Sequence, residues 1–104
     1  MADSDEIEFM KSLLADFIHE SEEIITKIQN DIIDYENGLD SEAKKRNILL
    51  DLHSLKGSAQ ALNLSQISNL IHNLEQDVLD GDIKHTEKWL AQLDEISDLI
   101  QKFR

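Results

Sequence analysis

The chain contains no proline, and its apolar residues recur at steps of three and four along almost its whole length. Proline is the strongest breaker of helices, and a sustained three-four apolar period is the signature of an amphipathic one. The first stripe consists of Met10, Leu14, Phe17, Ser21, Ile24, Ile25, Ile28, Ile32 and Tyr35, widened by Leu13 and Ile18. Asp3 and Ser4 offer N-caps, and Asp5 and Glu6 suit the positive end of a helix dipole. Asn37-Gly38 is a stop signal. The pattern predicts a helix over residues 4–36, with Ser21 the one polar member of the row and the place where a break stays open. Glu20, Glu22, Glu23 and Asp31 fall largely off the stripe.

Three more helices follow by the same reasoning. Asp40 or Ser41 caps a helix over 41–62 whose buried side is Ala43, Ile48, Leu49, Leu52, Leu55, Ala59 and Leu62. Asn63 ends it, being tolerant of left-handed geometry. A third helix spans 64–80 on Ile67, Leu70, Ile71, Leu74 and Val78. Asn63 and Gln66 have capping-box spacing at its start, and Gly81 closes it. The fourth runs over 85–103 with Trp89, Leu90, Leu93, Ile96, Ile100 and Phe103 inward. The prediction is one all-α domain over 1–104, an antiparallel four-helix bundle with short turns.

Charge narrows the partners. Twenty-two acidic residues against ten basic ones give a formal charge of −12. Nucleic acid and anionic membrane surfaces are excluded, since phosphate binding needs clustered Lys and Arg. With no cysteine there is no disulfide or thiolate chemistry. No basic n-region opens the chain, and no apolar run approaches the ~18 residues of a membrane span. The expectation is a cytoplasmic protein. Lys44, Lys45 and Arg46 are expected on a solvated face, where they could steer an acidic partner. His19 and His85 are expected at the surface, Trp89 in the core, and Ser58 as a small residue for packing or backbone access.

On the second helix, His53, Lys56, Gly57 and Gln60 share a face beside the buried row. A glycine within a helix costs roughly 1 kcal/mol against alanine. Its position beside an imidazole predicts a bare backbone that lets a partner protein reach His53. On the third helix, His72 and Glu75 likewise share a face beside the apolar row. If the two helices are antiparallel neighbours, counting outward from Asn63 sets His53 and His72 at similar heights, with Glu75 about 3 Å further along. A carboxylate that accepts the proton of one imidazole nitrogen leaves the other as a free lone pair and stabilises the charge that develops as the ring attacks phosphorus. Glu75 is the candidate for that acceptor. Lys56 is a point charge for a phosphoryl group, and His72 could bond with Glu75 or Lys56 and complete the network. Phosphoryl transfer needs little beyond positioning and charge. A di-metal bundle would need Glu-x-x-His pairs, and the chain offers only Asp16-x-x-His19 and Asp82-x-x-His85. A purely structural or dimerising bundle would explain the stripes but not Gly57 on a polar face.

The segment His53-Ser54-Leu55-Lys56-Gly57-Ser58-Ala59 resembles the His-x-x-Lys-Gly-(Ser/Gly)-(Ala/Ser) motif of histidine phosphotransfer (HPt) domains. Leu70-Ile71-His72-Asn73-Leu74-Glu75 is similar to the downstream segment of the amino-terminal phosphotransfer domain of CheA-type chemotaxis kinases. The resemblance implies an HPt-type bundle in which His53 is the phosphoacceptor and Lys56, His72 and Glu75 form a hydrogen-bonded cluster with it. It implies a phosphocarrier, not an ATP-using enzyme, with no bound cofactor of its own. ATP and magnesium would sit on partner domains. The implied partners are a histidine kinase catalytic domain as donor and a response-regulator receiver domain as acceptor, with the isolated domain a monomer. A free-standing HPt fed by a receiver domain in a multistep relay is the alternative within the family. Two positions depart from the pattern. HPt domains often have a glycine where Asn63 stands and a small residue where Gln60 stands, which bears on turn geometry at the first and on partner choice at the second.

Overall fold

The computed structural model describes residues 3–104. Among the described residues the chain forms four α-helices: α1 (Ser4–Glu36), α2 (Ser41–Ala61), α3 (Ser65–Asp80) and α4 (Thr86–Gln101). A 3-10 turn at Ile83–His85 leads into α4. Each helix packs on the next and α4 returns to α1, so the apolar stripes face a common axis. Ile28 and Ile32 of α1, Leu52 of α2, Leu74 of α3 and Trp89 and Leu93 of α4 are fully buried there. The Tyr35 and Trp89 rings meet at 5.7 Å. The all-α antiparallel bundle expected from the periodicity is the observed fold.

α1 is continuous through Ser21. This serine is buried and its hydroxyl donates to the Ile18 carbonyl at 2.8 Å, so a polar group enters the core without opening the helix. At its start, Asp3 accepts the Glu6 backbone N–H at 2.9 Å, as a cap should. With 33 residues α1 is about 50 Å long, close to the 52 Å long axis of the molecule. The other helices are shorter, and the first turns of α1 extend past them. Met10, expected inward, is therefore 52% exposed. Phe103 is also exposed, because α4 ends at Gln101 and the chain leaves the helical period before reaching it. Asp31 departs in the opposite sense. It lies one turn from both Ile28 and Tyr35, is buried, and receives Lys27 at 3.5 Å and Lys44 at 3.4 Å.

The turns explain the helix boundaries. After α1, Gly38 adopts φ 75, with its N–H on the Tyr35 carbonyl and the Leu39 N–H on that of Asp34. After α2, Asn63 adopts φ 58, with its N–H on the Gln60 carbonyl and the Leu64 N–H on that of Ala59. Both are Schellman closures. Asn63 thus supplies the left-handed residue where HPt domains often carry glycine. That geometry prevents it from also being the extended N-cap of α3. Leu64 takes that position without a side-chain cap, and the expected Asn63–Gln66 box does not form. Asp40 stands at the N-cap of α2, but in a left-handed conformation with no side-chain bond.

Gly81 ends α3 in extended backbone. A Cβ there would lie 2.7 Å from the Asp77 carbonyl oxygen and 2.8 Å from Cζ2 of Trp89. Neither neighbour can retreat, since one is helix backbone and the other the largest core side chain. Gly81→Ala should destabilise the fold by about 1–3 kcal/mol, the range for overpacking. Urea unfolding followed by circular dichroism reads this directly, and an unchanged midpoint would show that α3 and α4 can separate at this turn.

Candidate functional site

α2 buries Leu52, Leu55 and Ala59, and α3 buries Ile71, Leu74 and Val78. Those rows fix how the two helices face each other. His53 and Lys56 flank the first row, His72 and Glu75 the second, so packing brings the two polar edges together. His53 Nδ1 lies 3.3 Å from Glu75 Oε2. Lys56 Nζ lies 2.6 Å from Glu75 Oε1 and 3.4 Å from His72 Nδ1. All four residues named from the sequence meet in one chain of contacts.

The pairing differs in detail from the expectation. His53 is level with Glu75, and Lys56 with His72. Each pair is symmetric about Leu64, one residue beyond Asn63, because Leu64 completes the Schellman closure before α3 begins. Lys56 also makes its shortest contact to Glu75. That pair depends on the register across the turn, and spacing within either helix carries no sign of it.

Exposure separates the roles. The His53 side chain is 72% exposed, whereas Glu75 and Lys56 are 12% and 15% exposed. Burial alone would push the Glu75 carboxyl up. The hydrogen bond and charge of Lys56, then those of His53, outweigh it and hold the carboxyl below its ordinary value. Glu75 is thus an anion at neutral pH. An ionised carboxylate can only accept hydrogen bonds, so its contact with His53 requires the proton on Nδ1. Nε2 then keeps its lone pair. By the same logic, the Lys56 ammonium can only donate, so His72 Nδ1 accepts and the proton of that ring is on Nε2.

Gly57 is exposed, and a Cβ built on it meets nothing within 4 Å. The packing of this chain does not demand a glycine there. Gly57→Ala should therefore raise stability by about 1 kcal/mol, or about 5 °C in Tm for a domain of this size. If the bare backbone serves a partner, the same variant should pass phosphate several-fold more slowly; transfer at the native rate would remove that role. Gln60 is exposed one further turn along α2.

The remaining histidines and cations lie apart from this edge. His19 contacts Glu23 on the exposed side of α1. His85 Nδ1 accepts the Asp82 N–H at 3.1 Å and belongs to the cap of the 3-10 turn. The run Lys44 to Arg46 is less solvated than expected. Lys44 reaches Asp31 and Asp34, and Lys45 donates to the Gly81 carbonyl at 2.9 Å, leaving Arg46 exposed. Among the described residues no group of three or more His, Cys, Asp or Glu side chains is arranged to hold a metal ion. Among the described residues no helix is long and apolar enough to cross a membrane.

A helical bundle with an exposed imidazole whose Nδ1 faces a half-buried carboxylate is the arrangement expected of a phosphocarrier that uses histidine. Comparison with known proteins agrees: the chain belongs to the Hpt domain family, which it matches over residues 12–103. Hpt domains are the histidine phosphotransfer modules of two-component signalling, phosphocarriers that as a family interact with kinase and receiver domains. Among curated proteins it is similar to the sensor histidine kinase CheAY of Helicobacter pylori (strain ATCC 700392 / 26695), at 31% identity over 81 residues. That match covers 74% of this chain, which spans only 10% of the relative's length. No solved structure matched. The chain thus resembles the phosphotransfer domain of CheA-type kinases.

Proposed function

We propose that His53 is the phosphoacceptor and that its reactive atom is Nε2. The observation that carries this reading is the Nδ1–Glu75 contact, which frees the outward nitrogen of a ring that is 72% exposed. The donor is ATP held by a separate kinase catalytic domain of the CheA type. The Nε2 lone pair forms a bond to the γ-phosphorus as the bond to the leaving ADP oxygen breaks. The ring then carries positive charge, with its Nδ1 proton shared towards Glu75. Magnesium on the partner domains would neutralise phosphate charge. In the second step a carboxylate oxygen of a receiver-domain aspartate bonds to phosphorus, the N–P bond breaks, and Nε2 recovers its lone pair.

Each remaining residue acts through this pair. Lys56 holds the Glu75 carboxylate in place and supplies positive charge beside the transferring group. His72 fixes Lys56 from the other side. Gly57 keeps the backbone beside His53 open to either partner, and Gln60 borders the same approach. The domain binds no cofactor of its own and works in the cytoplasm, where ATP is available. The test is incubation with a CheA-type kinase domain and labelled ATP. The chain should gain an acid-labile, alkali-stable phosphate, and nitrogen-phosphorus coupling in NMR should place it on Nε2. Absence of label, or label stable to acid, would overturn the reading.

A further inference from the structure

α1 has 33 residues and its antiparallel neighbour α2 has 21. The two share the turn at residues 37–40, so the whole difference emerges at the opposite end of the bundle. There α1 runs roughly 18 Å past the last residue of α2 and stands as a post. Ile7, Met10 and Leu14 on the post continue the helical row of Phe17 and Ser21, and Phe9 widens it. Phe17 and Ser21 are buried, whereas Ile7 is 46%, Met10 52% and Phe9 64% exposed.

The floor of the bundle beside the post is open as well. One cleft lies between the post and the α2–α3 turn, a second between α1 and the end of α4, and a third between the start of α3 and the end of α4. Leu14, Leu64 and Phe103 each line two of the three, so the clefts join into one apolar surface. Charge is divided between post and floor. The tip of the post bears Asp3, Asp5, Glu6 and Glu8. The clefts bear Lys11, Lys102 and Arg104, and Glu6 is the one acid among their lining residues. Asp16, Glu20, Glu22 and Asp98, the other acids at this end, line none of them, although Arg104 pairs with Glu22.

We infer that a second copy of this chain covers this end, in a two-fold dimer whose posts lie antiparallel and seat their tips on each other's floors. A post beside an open floor is complementary in shape to its own inverted copy, and a two-fold axis across the long axis of the bundle makes both contacts at once. The same operation sets the acidic tip of one copy over the basic residues of the other's floor, twice. A different protein would have to match an apolar row and two charge clusters of opposite sign, which a second copy does of necessity. Ile7, Phe9 and Met10 then leave water against the other post. Two chains of net charge −12 repel each other over longer range, which holds the dimer to modest affinity. The monomer implied by the family resemblance is thus the form at low concentration. His53 lies about 12 Å of helix rise from the end of α2, so both imidazoles stay exposed in the dimer.

Sedimentation velocity of the native chain, from micromolar to millimolar concentration, tests this. The mass should rise from that of one chain to that of two. Met10→Glu places a carboxylate on the apolar row where no other helix packs, so its circular dichroism should match that of the native chain. Its dissociation constant should rise by about tenfold or more. Lys102→Glu keeps the apolar contact but reverses a floor charge, and should weaken the dimer several-fold. Leu50→Glu, on the exposed side of α2 and away from this end, should leave the dimer unchanged. A native chain that stays monomeric throughout would overturn the inference and leave the row to a different protein. A dimer that Met10→Glu leaves intact, or that Leu50→Glu abolishes, would overturn it by placing the contact elsewhere. A dimer indifferent to Lys102→Glu would overturn the pairing of tip and floor that selects a second copy.

Discussion

His53→Gln should reduce kinase-dependent labelling to background while leaving the bundle folded. The imidazole is the only group of the site with a free lone pair directed outward, and glutamine offers no comparable nucleophile. The neighbouring groups cannot replace it. Lys56 is a cation engaged with Glu75 at 2.6 Å, and the Nδ1 lone pair of His72 is taken by Lys56. At 72% exposure the His53 side chain contributes little to packing, so its loss should change stability by no more than about 0.5 kcal/mol. Label retained in His53→Gln would place the phosphate elsewhere, and the reading would fail even with the helical signal intact.

Glu75→Ala should slow phosphorylation by about a hundredfold, the lower range for losing a positioned proton-holding group. Without the carboxylate the ring can rotate, and either tautomer becomes available. The charge formed on attack also loses its counter-ion. Glu75→Gln separates these effects, since its amide oxygen still accepts from Nδ1 but carries no charge; it should recover part of the rate. Removing the carboxylate also strands the Lys56 ammonium, 15% exposed, which should destabilise the fold by about 1–2 kcal/mol. Equal rates for the native chain and Glu75→Ala would remove Glu75 from the mechanism.

The pH dependence of that pair has a definite sign. The Glu75 carboxyl titrates below its ordinary value of 4.5 in the folded chain, so folding favours its ionised form. Its contribution is fully present above that ordinary value and is lost as pH falls through the lower, folded value. The stability difference between the native chain and Glu75→Gln should be flat from about pH 7 to about pH 5 and vanish in more acidic solution.

Helix identity and the buried faces were legible because they depend on local spacing. Ile28, Ile32, Leu52, Leu55, Leu74 and Trp89 repeat with the helical period and are buried. Stop signals such as Gly38 and Asn63 set helix ends to within a residue or two, since both take the left-handed backbone on which helices close. The misreadings had other causes. Asp31 was placed off the apolar stripe, yet it is buried, and Lys27 and Lys44 make that burial tolerable. Met10 keeps the right period, but no neighbouring helix reaches far enough to cover it, and Phe103 lies beyond the end of α4. Lys45 was read as solvated because its partner, the Gly81 carbonyl, lies just past the end of another helix.

The site divides in the same way. The amino-acid order by itself determined that His53, Lys56 and Gly57 share one helical face and that His72 and Glu75 share another, because 3.6 residues per turn fixes faces without reference to anything distant. Only the tertiary structure decided that Glu75 rather than His72 stands opposite His53, and that Lys56 closes on the same carboxylate. The register between α2 and α3 comes from the closure at Asn63 and Leu64 and from how the Leu52, Leu55 and Ala59 row seats against Ile71, Leu74 and Val78. A shift of one turn would move Glu75 about 5.4 Å along the edge, and His53 would remain an exposed imidazole with nothing to hold its proton.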